Sequence, residues 1–183
     1  MPDRDNQPGE ITMLAHVRGH YLVARWRNVM FVYWLSQGTV QAVQSIDALF
    51  GQSAEATAGK LSCVYLIKDG AGLPDHETRL AVRALHDRHR PRLACLGIVV
   101  MGDGFWASRL QSVFAELRVV GGTRTSLMRL ARTTTELAAW LPHEHAVRTG
   151  VPLNEQELLA VLTRLIATAA VRVQKSSLGA PET

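Results

Sequence analysis

Four groups of residues in this 183-residue chain have types and spacings that chemistry uses. Asp69 and Asp103 each follow an apolar run and stand among glycines, in Asp69-Gly70-Ala71-Gly72 and Gly102-Asp103-Gly104. At the carboxyl ends of neighbouring strands, where open α/β sheets hold ligands, two such carboxylates could bind a cation or cap helices. The glycine-rich backbone there could hold an anion. No third acidic or histidine ligand follows at a recognisable spacing, and the glycines lack a dinucleotide or phosphate-loop fingerprint. Capping and tight turning are therefore the expected roles. His86 and His89 flank Asp87, and His143 and His145 flank Glu144. The first pair falls on a helix end and the second in a loop, so both are expected at the surface, without a metal. Cys63 and Cys95 lie inside apolar runs and read as small buried hydrophobes, without zinc spacing or a disulfide framework. Ser108 lacks the strained turn that presents a nucleophilic serine, and no residues combine into a triad. The expectation is no metal, no cofactor and no catalysis.

The elements that must position these residues begin with the stretch from Arg92 to Val119. Leu93 to Met101 is a near-continuous apolar run, the pattern of an interior parallel strand. Gly102-Asp103-Gly104 breaks it, and Trp106, Leu110, Val113, Phe114 and Leu117 then recur at helical spacing from about Phe105 to Leu117. Upstream, Ile11 to Val17, Tyr21 to Trp26 and Val29 to Ser36 read as successive strands. Thr39 caps a helix with Val43, Ile46 and Phe50 inward, ended by the small-residue stretch Gly51 to Lys60. Leu61 to Ile67 is the next strand. Pro74 suits a first helical position, and Leu80, Ala81, Ala84 and Leu85 supply that helix's buried stripe. Ser126 to Ala131 is a last short strand. Thr133 to Thr135 cap a helix with Leu137, Trp140 and Leu141 inward, which Pro142 ends.

The predicted organisation is a polar tail over 1–9, an α/β domain over 10–142, a linker over 143–152, an amphipathic helix over 153–173 and a tail over 174–183. The fold class is α/β: a mixed sheet with antiparallel N-terminal strands, helices mainly on one face, and an appended C-terminal helix. That helix presents a broad apolar face through Leu158, Leu162, Leu165, Ile166 and Ala169. The face either packs on the open side of the sheet or joins a second copy or a partner. Hydrophobic residues make up 47% and charged residues 20%, the balance of a soluble globular protein. The net charge of +4 is carried mostly by scattered arginines, so no nucleic-acid partner is expected. No apolar run is long enough to span a bilayer and no secretory signal is present, which points to the cytoplasm.

VMFVYWLSQGT leading into the first helix, LSCVYLIKDG ending the middle strand and TTTELAAWL closing the core resemble the STAS domain of anti-sigma-factor antagonists, and above all its divergent stand-alone bacterial relatives. The resemblance covers roughly residues 20 to 142. It implies a regulatory or adaptor protein working through protein–protein contacts. In regulatory members of that family a serine or threonine just after the middle strand is phosphorylated, and the loop and helix start around it bind the partner. Here Asp69 stands at the matching aspartate, but no hydroxyl residue follows before Thr78. The partner surface implied comprises Asp69, Gly70, Gly72 and Pro74; the loop of Asp103, Gly104, Phe105 and Trp106 is expected to extend it, with Trp106 as an aromatic anchor. The superfamily also resembles lipid-transfer domains, which keeps open an apolar ligand held between the sheet and the C-terminal helix.

Overall fold

The computed structural model describes residues 10–57, 59–102, 108–109 and 127–177. Six strands lie side by side in chain order: β1 (Thr12–Val17), β2 (Tyr21–Trp26), β3 (Val29–Trp34), β4 (Leu61–Ile67), β5 (Leu93–Val100) and β6 (Met128–Ala131). The first three are antiparallel neighbours, and the pairings β3–β4, β4–β5 and β5–β6 are parallel. The continuous apolar runs thus become the interior of a mixed sheet, as their lack of alternation requires.

Each face of that sheet has its own helical layer. Met30, Val32, Tyr65, Ile67 and Ile98 pack under α1 (Val40–Ala56) and α2 (His76–His89), through Val43, Ile46, Phe50 and Leu85. Phe31, Tyr33, Val64, Leu66 and Val99 pack on the opposite side under α3 (Thr134–Thr149) and α4 (Glu155–Ser177). The described helices therefore divide two and two, rather than lying mainly on one face. The right-handed crossovers between parallel strands place α1 and α2 together. After β6, the last strand among the described residues, α3 and α4 pack over the opposite face of the sheet.

Several boundaries move from their expected places. α1 runs through Gly51 to Ala56, and the Thr57 hydroxyl donates to the Ser53 carbonyl at 3.1 Å. α2 starts at His76 behind Asp75, whose carboxylate accepts the Thr78 N–H at 2.7 Å, so Pro74 precedes the cap instead of opening the helix. Its inward residues are Thr78 and Leu85, whereas Leu80 is 52% exposed. α3 continues through Pro142 to Thr149, which makes most of the expected linker at 143–152 helical. A proline inside a helix costs about 3 kcal/mol locally. Leu141 before it and His145 after it are both fully buried, and their burial holds the helix across the break. Of the helix expected over 105–117, only Ser108 and Arg109 lie among the described residues.

The apolar face of α4 is closed against the sheet. Leu158, Leu162, Leu165 and Ala169 are at most 1% exposed and Ile166 is half-buried. Residues read as a self-association stripe are thus part of this chain's own core. Each such leucine contributes roughly 1.5–3 kcal/mol by leaving water, so a chain ending at Gly150 is expected to lose solubility and cooperative unfolding, checked by light scattering and thermal melts.

On the same face α3 comes close to β5. A β-carbon on Gly97 would lie 2.5 Å from the Leu137 side chain, so a larger residue here requires that leucine to shift. Gly97→Ala is expected to cost about 1–3 kcal/mol by overpacking, and Leu137→Ala should relieve most of that cost. A double-mutant cycle from urea unfolding reads both effects.

Candidate binding site

Two loops leave the carboxyl ends of β3 and β4, the end of a parallel sheet where ligands are commonly held. The first runs from Leu35 to Thr39, whose hydroxyl caps α1 by accepting the Ala42 N–H at 3.2 Å. The second runs from Lys68 to Asp75, the cap of α2. The loops are fastened together. The Lys68 N–H donates to the Trp34 carbonyl at 3.0 Å, the Thr78 hydroxyl donates to the Gly38 carbonyl at 3.5 Å, and Gly72 lies against Gln37.

Between these loops and the helices opens an apolar cleft of about 50 Å³, lined among others by Trp34, Val43, Ile46, Tyr65, Ile67 and Pro74. Small-molecule sites generally measure about 300–1,000 Å³, so this cleft suits one inserted side chain better than a whole ligand. On its inner wall the Tyr65 hydroxyl is already engaged with His86 Nε2 at 2.9 Å. Trp34 also borders a larger and more polar groove of about 380 Å³, shared with His20, Tyr21, Gln37 and Gln41. The indole leans on the Tyr21 ring, with centroids 5.5 Å apart. It is half-buried, an aromatic wall common to both depressions.

Of the residues named from sequence, Gly72 and Pro74 line the cleft. Asp69 and Gly70 are exposed on the same loop, outside that lining. Asp69 does meet the next strand's exit: Gly102, at φ 101°, would place a β-carbon 2.5 Å from the Asp69 carboxylate carbon. Asp69 and Gly102 are therefore neighbours, while Asp103, Gly104, Phe105 and Trp106 lie outside the described residues. Trp34 was missed because its strand is apolar on both faces, which reads as core throughout. The glycine and threonine closely following it were the available signal that the strand ends there.

Of the four histidines His86, His89, His143 and His145, His143 is exposed as expected, and the other three are not. His145 is fully buried on α3. Its Nδ1 lies 2.7 Å from the Ser62 hydroxyl and its Nε2 lies 3.0 Å from Asn28 Oδ1. The Asn28 amide nitrogen donates to the Lys60 carbonyl, which turns Oδ1 toward the imidazole. That oxygen can only accept, so Nε2 carries the hydrogen and Nδ1 accepts from Ser62. The contacts have the lengths of a serine–histidine relay, but Ser62 and His145 are both 0% exposed, so no substrate reaches this hydroxyl. The relay fastens α3 to the starts of β3 and β4. Burial lowers the His145 pKa to about 4.

His86 is half-buried against Tyr65, and its pKa is also lowered to about 4, first by desolvation. His89 pairs with Asp47 of α1 at 2.5 Å, and Arg88 reaches the same carboxylate, which joins the two helices of that layer. Cys63 and Cys95 are both buried and belong to opposite faces of the sheet. Burial pushes the Cys63 thiol up to about 12 and raises that of Cys95, which suits packing rather than nucleophilic use. Among the described residues no cluster of three or more His, Cys, Asp or Glu could hold a metal ion, and no helix is long and apolar enough to cross a membrane.

Comparison with family models, curated proteins and solved structures finds no match to this chain. The chemistry of the site rests on its own geometry.

Unfolded histidine takes up a proton near pH 6.5, whereas His86 and His145 resist protonation until about pH 4. Their contribution to stability is therefore complete above about pH 6.5 and is lost as pH falls toward about 4. Urea midpoints are expected to decline through that window. His145→Asn should cost about 1–3 kcal/mol near neutral pH by breaking the relay, and should show a shallower decline on acidification than the parent.

Proposed function

We propose that this chain is a non-catalytic regulatory or adaptor protein of STAS-like organisation, which docks a protein partner on the rim around Trp34. The observation that carries this reading is the apolar cleft at the ends of β3 and β4, open between two mutually braced loops and sized for one side chain. A half-buried tryptophan beside a preformed apolar cavity has the makings of an interface anchor, since aromatic residues in desolvated pockets carry much of the energy of association. The loop and helix start that serve partner binding in STAS domains correspond to Lys68–Pro74 and the Asp75 cap. Here the switch differs. Thr78 is 1% exposed with its hydroxyl turned to Gly38, so partner binding on this rim operates without phosphorylation of that residue.

An apolar ligand between the sheet and α4 has less support, because Leu158, Leu162 and Leu165 pack that interface closed. Photocrosslinkers placed at Gln37 and Leu73 are expected to trap the same partner, which a crosslinker on the exposed side of α4 does not. Against that partner once purified, Trp34→Ala is expected to raise Kd by more than about tenfold, with the far-ultraviolet spectrum preserved. Trapping from α4 alone, or an unchanged Kd in a folded variant, overturns the assignment. An apolar adduct in native mass spectra that is lost in Trp34→Ala would instead make the cleft a small-ligand site.

A further inference from the structure

The larger groove beside Trp34, about 380 Å³, lies between the β1–β2 turn and the first turns of α1. Its volume falls within the roughly 300–1,000 Å³ of small-molecule sites. His20 and Tyr21 enter it from the turn and β2, Gln37 and Thr39 from the loop before α1, and Gln41 and Ser45 from the helix. Among their lining residues the groove and the apolar cleft share Trp34 alone.

No lysine, arginine, aspartate or glutamate lines the groove. Its polar groups are instead of kinds that donate and accept together. The Thr39 hydroxyl accepts the Ala42 N–H at 3.2 Å and keeps its own hydrogen to donate. The Ser45 hydroxyl donates to the Gln41 carbonyl at 3.1 Å and keeps lone pairs to accept. His20 is held through Nδ1, 3.1 Å from the Ser36 hydroxyl, which leaves Nε2 for a ligand. The side-chain amides of Gln37 and Gln41 are exposed and have no partner among the described residues.

These groups select the chemistry of an occupant. A charged ligand would meet no opposite charge, and a wholly apolar one would leave the amides and hydroxyls without partners. Hydroxyl groups match the lining, because each of them also donates and accepts. Trp34 adds a second requirement. Its indole is half-buried and leans on the Tyr21 ring, so it offers a fixed aromatic surface that suits polarised C–H groups. A sugar ring meets both requirements, with hydroxyls around its rim and C–H bonds on its face. We propose that this groove binds a neutral sugar, seated with a C–H face on Trp34 and its hydroxyls paired with Gln37, Gln41 and Ser45. The assignment does not depend on the reading given to the docking rim.

Saturation-transfer-difference NMR on the full chain tests it, with glucose, galactose, N-acetylglucosamine and maltose as probes. At least one is expected to bind with a Kd of about 1 mM or tighter, with the protons of one ring face receiving most saturation. Gln41→Ala should weaken that binding roughly fivefold, as loss of a hydrogen bond requires, and Trp34→Ala roughly tenfold. Gln52→Ala, the same deletion farther along α1 and outside the groove, should leave Kd unchanged. Gln41 and Gln52 are both exposed, and matching thermal melts will show that these variants are folded. Absence of transfer from every probe at about 10 mM, or a Kd that Gln41→Ala leaves unchanged, would overturn the proposal. Binding of adenosine or inorganic phosphate in place of the sugars would overturn it too. Since no partner enters the measurement, a negative result here leaves the docking reading to its own crosslinking test.

Discussion

A strand with apolar side chains on both faces has to be covered twice, and β3, β4 and β5 impose that demand on the rest of the molecule. The first covering comes from connectivity: parallel neighbours need crossovers, and α1 and α2 are those crossovers. The second comes from chain left over after the last strand, and α3 and α4 supply it. The C-terminal helix is therefore integral to the domain. The same demand explains how α3 can run on through Pro142, because Leu141 and His145 on either side are held by the sheet below.

A second constraint acts on buried polar groups, because a donor or acceptor removed from water costs free energy unless it is paired. His145, Ser62 and Asn28 satisfy one another at the starts of β3 and β4, and they tie the late helix α3 to strands far earlier in the chain. Tyr65 and His86 do the same between β4 and α2. Both contacts hold a neutral histidine, so the two helical layers are each attached to the sheet by a group whose protonation in acid loosens the attachment.

With both faces occupied, the surfaces left for interaction are the ends and the edges of the sheet. The carboxyl end of β3 and β4 carries the cleft beside Trp34, rimmed by loops that hold each other in place.

Much of the architecture was legible in the chain itself. Runs such as Val29–Trp34 and Leu93–Val100 are too uniformly apolar for a surface strand. Thr39 and Thr133 announce their helices by local hydrogen bonding that needs no distant partner. Periodicity also identified Leu158, Leu162 and Leu165 as one apolar face, since that face is a property of the helix alone. What covers the face is a question of space, and only the tertiary structure answered it, by laying α4 on the sheet. The same holds for the histidines. A histidine beside a glutamate looks alike in a loop and in a core, and burial of His145 depends on Ser62 and Asn28 arriving from other strands. Trp34 stayed hidden for the converse reason: an aromatic residue ending a core strand becomes a cleft wall only when two loops from different strands close around it.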